Sequence, residues 1–554
     1  MKIKLITGCL LLSSVISLAQ VTVTEGPKLN NDPDSKMNRM LGGDDNSFYC
    51  YRVRSKGKGT SFIIEKYDKV SLKPVFSKEV NLEDEKTTKI EDVEYSNGNV
   101  FIFRRQYDKK ADKMTLFFQT VASDGKIDPA MKEITTVSAD HYEFVDFDIY
   151  PNPSQTKFLI KACHKANKED TYKTDMILLD ATSMKKVWTK TIEKRLVDNS
   201  DNFWGGMMLR FFTNKQPNIG FAGIYLDNKD NVYYCYNEKV AADGDNEAGY
   251  VLKMGILNST DNAPKVIDLP FDDKYYVKDI QFMKSNDNEI MVGGYLKDVI
   301  ERKGRDLIKT GVFSFTINLK SQSVTSKPVR FFDDKLLDAL ESTTKNKKVK
   351  DMGYKMDYIL PVGKDVYYIG EQYHRYTTGS SMGGMGGMGM GGSSRTEYHL
   401  EFMDVLVAKL NAKGEFEWIQ NSPLRVTIVS SVPPPLYKQY FAYATASNVY
   451  IMCDDNAKNL EIYKEKDFTP KKLKDVSAIH GSNFVCNAIS TANGSVKRSL
   501  VWKNDDYCFA PVQEKNPQFR PPTDCEIFVP GKNNEIYIYT ENKGLDRFAK
   551  LKFE

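Results

Sequence analysis

Histidine, tryptophan and any surplus of one charge are what this sequence has least of, and each scarcity removes a class of function. Five histidines in 554 residues (His141, His164, His374, His399 and His480) form neither H-x-x-H nor H-E-x-x-H, so no zinc-hydrolase ligand set is visible. The 78 basic and 74 acidic residues almost cancel, which excludes the basic footprint of a nucleic-acid binder. Beyond the first twenty residues no run approaches about 18 consecutive apolar residues, so no transmembrane helix is expected. Cysteine is sparse too. Apart from Cys9, the seven cysteines (Cys50, Cys163, Cys235, Cys453, Cys486, Cys508 and Cys525) are odd in number, scattered and without a C-x-x-C pair. That is not a disulfide framework. They read as small buried hydrophobes in strands, with Cys486–Cys508 the one pairing worth testing.

The start of the chain reads MKIKLITGCLLLSSVISLAQ. Lys2 and Lys4 give a basic start, Leu5 to Ile16 an apolar stretch and Ser17-Leu18-Ala19 a small-x-small cleavage site. Residues 1–19 are therefore expected to be a secretory signal peptide. Ile6-Thr7-Gly8-Cys9 resembles a lipoprotein box, but it sits too close to Lys4 and the apolar run continues past it. Removal of the peptide leaves 76 basic against 74 acidic residues. Residues 20–44 then read as a polar leader.

At roughly 150 residues per domain, this length predicts three or four domains. Aromatics point elsewhere: 31 Tyr and 30 Phe against 4 Trp favour pleated, half-buried surfaces. One pattern recurs, a turn rich in Asn, Asp or Gly followed by a short β-prone run. It appears as NSFYCYRV, NVFIFRR, KFLIKAC, NVYYCYN, EIMVGGY, DVYYIGE, NVYIMCD and EIYIYTE. The anchors are Phe48, Val100, Phe158, Val232, Ile290, Val366, Val449 and Ile536, spaced by 52 to 87 residues. A second strand follows each one (Leu460–Tyr463 in the seventh unit), often with a Gly turn into a third. Short turns and near-absent helical periodicity mean antiparallel sheets, and repeated small meanders are the mark of propeller blades. The expected fold is all-β: a single closed β-propeller of seven or eight blades over residues 45–554, built from antiparallel four-stranded meanders. The near-continuous apolar runs read as the innermost strands, and the C-terminal strand as the one that closes the ring. Two insertions are expected, a helical one at 331–350 and a Met/Gly-rich disordered loop at 377–395. Pro433-Pro434-Pro435 reads as a stiff connector.

MDVLVAKLNAKGEFEWIQ, Met403 to Gln420, resembles the seven-bladed-propeller repeat of secreted bacterial proteins. FFDDKLLDAL through DVYYIGEQY to that motif resembles uncharacterised exported proteins of the Bacteroidota. The resemblance implies a propeller and an envelope location and carries no catalytic assignment. Tyr150-Pro-Asn-Pro-Ser154 is similar to the start of a type nine secretion sorting domain, but it lies far from the C-terminus and reads as a turn inside a blade. Periplasmic retention is then expected over release.

Chemistry is harder to find. Gly379 to Gly383 matches G-x-S-x-G, and Gly384 to Gly389 matches G-x-G-x-x-G, but both fall in the low-complexity tract without the strand and helix such sites need. Cys163 and His164 are adjacent and point to opposite faces of a strand. Five residues past the anchors stand Val53, Arg105, Cys163, Asn237, Tyr295, Glu371, Asp454 and Glu541. Equivalent positions in successive blades fall on one ring, so Arg105, Asn237, Tyr295, Glu371, Asp454 and Glu541 form a candidate ligand-binding rim. Paired carboxylates there suit glycosidic cleavage or Ca²⁺ ligation; the plainer alternative is strand ends meeting solvent. Met382, Met385, Met388 and Met390, with His374 and His399 at the base of their loop, offer soft thioethers for Cu(I) or an adaptable contact surface. Asp243 to Glu247 hints at a calcium loop but lacks the later glutamate and the central glycine.

No catalytic residue is assigned. The expected role is a non-enzymatic exported scaffold in the periplasm or at the outer membrane or cell surface, binding an envelope protein or a glycan. The alternatives are a carbohydrate-binding or carbohydrate-active propeller using the rim and a copper-handling protein using the Met loop.

Overall fold

The computed structural model describes residues 21–554 except 31–33, 57–58, 82–87, 140–144, 166–170, 196–220, 241–248, 272–274, 299–309, 343–351, 381–394, 432–437, 466–468, 470–471, 477–481, 504–527 and 543–544. Eight antiparallel sheets of four or five strands follow one another along the chain. Sheet 1 joins Ser35–Gly43, Ser47–Lys56, Gly59–Asp68 and Pro74–Asn81; sheet 2 joins Thr88–Ser96, Asn99–Asp108, Lys113–Val121 and Lys132–Ser138. Sheet 3 joins Asp146–Pro151, Lys157–Lys165, Thr171–Asp180 and Lys186–Arg195; sheet 4 joins Phe221–Leu226, Val232–Val240, Gly249–Leu257 and Lys265–Asp268. Sheet 5 joins Tyr275–Asn286, Glu289–Asp298, Thr310–Asn318 and Ser323–Ser326, with Val329–Phe331 added; sheet 6 joins Gly353–Val362, Asp365–Ser380, Arg395–Leu410 and Phe416–Ser430. Sheet 7 joins Tyr440–Ala444, Asn448–Asn456, Ser482–Ser490 and Val496–Lys503. Sheet 8 joins Phe528–Pro530, Glu535–Asn542 and Leu545–Phe553 to Val21–Glu25 from the other end of the chain, with Leu29–Asn30 beside it.

Turn chemistry sets these meanders. Asn97 and Gly98, both at positive φ (+48° and +82°), make the two-residue turn that matches strand twist in sheet 2. The third strand of sheets 1, 3 and 5 ends on Asp68, Asp180 and Asn318, whose side chains accept the backbone N–H of Ser71, Ser183 and Ser321. A left-handed residue follows each serine: Leu72, Met184 and Gln322. This turn leads into the fourth strand each time.

Three sequence readings change. The repeated motif strands are the second strand of each sheet, not the innermost. The first strands adjoin one another from sheet 8 through sheet 1 and on to sheet 7. The motif strands read as apolar because each is sandwiched on both faces by neighbouring sheets. Leu460–Tyr463 is no strand, since Asn459–Ile462 is a helical turn and Ser482–Ser490 pairs with the seventh motif instead. Residues 20–44, read as a leader, give Val21–Glu25 and Leu29–Asn30 to sheet 8 and Ser35–Gly43 to sheet 1. The helix within 331–350 is present as Asp334–Ser342, capped by Asp333 at the Leu336 N–H and burying Leu336 and Leu340.

Apolar clusters join every neighbouring pair of sheets. Tyr49, Tyr95 and Ile102 lie between sheets 1 and 2, and Phe103, Phe158 and Ile160 between 2 and 3. On sheet 8, Phe548 and Ile538 pack with Phe48 of sheet 1 and with Phe441 and Phe484 of sheet 7 in a single cluster. Five cysteines, Cys50, Cys163, Cys235, Cys453 and Cys486, are free and buried in strands, as expected of small hydrophobes. Cys508 and Cys525 lie outside the described residues. Among the described residues no helix is long and apolar enough to cross a membrane.

Candidate functional site

The first strands of several sheets and the motif strands beside them carry the polar chemistry, and a repeated β-bulge organises it. In sheet 1 the register passes from Met37 opposite Arg52 to Arg39 opposite Tyr51, leaving Asn38 extra. Sheets 2, 4 and 6 do the same at Glu91, Ala222 and Asp357, and sheet 5 shifts across Lys278 and Asp279. A bulge sets two residues against one and re-aims their side chains. The position five past the anchor lies just beside it: Val53 faces Lys36, Arg105 faces Lys89 and Glu371 faces Lys355.

Three of the six rim candidates tie one sheet to the next. Arg105 pairs with Glu91 at 3.1 Å and donates to the Val145 carbonyl, at the entry to sheet 3, at 3.1 Å. Asn237 of sheet 4 donates to the Val277 carbonyl of sheet 5 at 2.6 Å. Tyr295 of sheet 5 is buried and donates to the Leu406 carbonyl of sheet 6 at 3.4 Å. Asp454 is buried in sheet 7, and Glu541 in sheet 8 is half-buried and accepts from the Tyr539 hydroxyl at 3.2 Å. Glu371 is 1% exposed, out of reach of a substrate on the surface.

Residues that the repeat alignment does not mark make further ties. Arg39 of sheet 1 reaches Asp92 (3.1 Å) and Glu94 (2.7 Å) of sheet 2. Burial, and then the Glu94 charge, push the Asp92 carboxyl well above the usual carboxylate range, against the pull of Arg39. Lys284 of sheet 5 bonds Asp227 of sheet 4. Arg52 of sheet 1 holds both Glu65 (2.6 Å) and Asp546 of sheet 8 (2.5 Å). Only the polarity of otherwise strand-like segments signals such residues.

The densest group centres on sheet 6. Asp357, at the bulge, accepts from the Tyr440 hydroxyl of sheet 7 at 2.8 Å and lies 3.1 Å from the Lys355 ammonium. Glu371 comes from the neighbouring strand, and its Oε1 has no hydrogen-bond partner among the described residues. Burial drives its carboxyl well above the usual range; the Asp357 charge adds to this and Lys355 opposes it. Two carboxyls with one cation in a dry site form an acid pair, though one closed to solvent.

Sheet 6 also carries the longest strands. Among the described residues its second, third and fourth strands have 16, 16 and 15 residues, whereas no strand of another sheet exceeds 12. Near the end of the hairpin, Tyr376 stacks on His399 (centroids 4.5 Å apart, planes 5° apart), and its hydroxyl donates to Glu401 at 3.0 Å. His374 sits 3.7 Å from Glu401. These are the two histidines expected at the base of the Met loop. Met382, Met385, Met388 and Met390 themselves lie outside the described residues, as do Asp243 to Glu247 and the three prolines. Among the described residues no group of three His, Cys, Asp or Glu side chains is placed to hold a metal ion.

No family model matches this chain, and no curated protein matches it. Among solved structures it is similar to the β-propeller domain of the Trilobed protease from Pyrococcus furiosus, at 8% identity over 87% of this chain and 99% of that one, with a TM-score of 0.34. It is similar to the polysaccharide lyase Uly1 at 9% identity, over 86% of this chain and 91% of that one, with a TM-score of 0.34. A Synechocystis apocarotenoid oxygenase mutant stands at 9% identity, 88% and 97% coverage and a TM-score of 0.31. With likeness this slight, the reading of the chain rests on its own geometry.

Proposed function

We propose that the eight sheets close into one eight-bladed propeller, and that the protein is an exported interaction scaffold of the bacterial envelope which docks a partner protein along the hairpin of sheet 6. Closure is supported by apolar clusters and side-chain ties that run from each sheet to the next, sheet 8 included. Export is supported by the basic, apolar and small-x-small pattern of residues 1–19. The single observation that carries the docking role is the length of the sheet 6 strands. The extra residues extend the hairpin by about 10 to 15 Å at ~3.3 Å per residue. Exposure rises along it, with Arg375, Thr377, Thr378 and Val429 open to solvent. A rigid body with one extended, amphipathic edge suits binding by strand contact.

The test is crosslinking and capture from the native envelope, using the full chain and a chain in which residues 376–399 are replaced by a two-residue turn. Both should melt alike, and one discrete protein should be crosslinked to the hairpin of the full chain and lost with the shortened one. Identical capture by both chains would end the docking role. Retention of a polysaccharide in place of a protein would turn the reading toward a carbohydrate binder.

A further inference from the structure

The buried acid pair of sheet 6 has an unbalanced charge, and that imbalance has a consequence for the molecule. Among the described residues, Asp357 and Glu371 face one cation, Lys355, and the tyrosines around them donate hydrogen bonds but bring no positive charge. Tyr440 donates to Asp357, and Tyr295, Tyr354 and Tyr358 enclose the site from sheets 5 and 6, with the Lys438 ammonium on the Tyr358 ring. Asp357 is 5% exposed and Glu371 1%. A net negative charge in so dry a place is costly unless a counter-ion or a proton cancels it. Oε1 of Glu371 is buried with no hydrogen-bond partner among the described residues.

We propose that Asp357 and Glu371 bind one proton between them, carried by Glu371, and that this proton locks the joint between sheets 6 and 7. Lys355 then balances the remaining charge, Tyr440 anchors Asp357 from sheet 7, and the site is neutral overall. Loss of the proton leaves two buried carboxylates on one ammonium, which repel each other next to the Tyr440 contact. The direction of the Glu371 shift, upward through burial and the Asp357 charge, agrees with this. The inference is independent of the docking role, since the pair is enclosed and the shortened hairpin keeps both Asp357 and Glu371.

The test follows thermal melting of the full chain from pH 6 to pH 10 for wild type, Glu371→Gln and Lys355→Met. Glu371→Gln keeps the shape and the neutrality, so it should melt at or above wild type at pH 9 and remove a share of the alkaline fall in Tm. Lys355→Met removes the balancing charge and should weaken the fold more than Glu371→Gln at every pH. A Glu371→Gln chain that melts several degrees lower than wild type across the whole range, with the same slope, would overturn the proposal. Should Glu371→Gln fail to fold, infrared spectra of wild type labelled at glutamate decide the matter. A protonated-carboxyl band at pH 8 that fades on alkalinisation supports the shared proton, and its absence refutes it.

Discussion

Asp546 is a carboxyl caught between burial and a guanidinium. Burial raises it to about 6, and the Arg52 charge pulls it down only in part. Its ordinary unfolded value is about 3.9. Because the folded value is the higher one, the folded chain holds this proton more tightly than the unfolded chain. Its contribution is therefore full below about pH 4 and lost as pH climbs through about 6, a change of about 3 kcal/mol at ~1.4 kcal/mol per unit. Asp546→Asn should remove that slope, so that Tm against pH between 4 and 6 becomes flatter than in wild type; an unchanged slope would show that burial does not govern this group. Arg52 carries the opposite risk. It is 1% exposed and serves both Glu65 and Asp546, so Arg52→Ala leaves two buried carboxyls without their cation. The expected cost is about 3–5 kcal/mol, read as a lower urea midpoint near neutral pH.

Reciprocal packing of tyrosine on glycine defines the joint between sheets 5 and 6. Tyr295 of sheet 5 lies on Gly370 of sheet 6, and Tyr368 of sheet 6 lies on Gly293 of sheet 5. A Cβ at Gly370 would meet the Tyr295 ring at 2.4 Å and the Lys355 carbonyl at 2.2 Å, and one at Gly293 would meet the Tyr368 ring at 2.1 Å. Gly293→Ala and Gly370→Ala should each cost about 1–3 kcal/mol through overpacking, seen as a lower Tm with the near-ultraviolet tyrosine signal altered. The same joint shows what the sequence made legible. Every motif strand was visible because each is apolar on both faces, and Tyr295 and Glu371 fell on equivalent positions because the hairpin register repeats. The inner strands were not visible. Ile90-Glu91-Asp92-Val93-Glu94 carries no strand alternation, because its bulge breaks the period of two and its acids are satisfied by Arg39 and Arg105 from other strands. Such partners lie tens of residues away and emerge only when sheets pack. The Asp68, Asp180 and Asn318 turns were within reach, since D/N-x-x-S before a strand is local chemistry.

The two ends of the chain meet in sheet 8. Val21–Glu25 pairs residue for residue with Leu545–Phe553, from Val21 opposite Phe553 to Glu25 opposite Ala549. Arg547 bonds Glu25 across this seam at 2.5 Å, and Phe548 packs on Phe48 and Tyr67 at centroid distances of 5.1 and 4.3 Å. A sheet completed by strands from both ends of the chain has no free edge along that pairing, and separating the ends requires loss of the whole ladder. A chain begun at residue 27 would keep sheets 1 to 7 and the aromatic seam but leave Ala549–Phe553 without its partner strand. With Leu29–Asn30 still paired to Leu545 and Asp546, the open edge is Ala549–Phe553, and the chain should fold with a lower Tm and associate in proportion to concentration, measured by light scattering against the chain begun at residue 20. Restoring residues 21–26 in trans as a peptide should reverse both effects, because the missing strand needs only its backbone ladder and Val21 and Val23 to dock. If the shortened chain stays monomeric with its Tm unchanged, the outer ladder is not what holds the ends, and the contacts of Arg52, Asp546 and Phe548 are left to join sheet 8 to sheet 1.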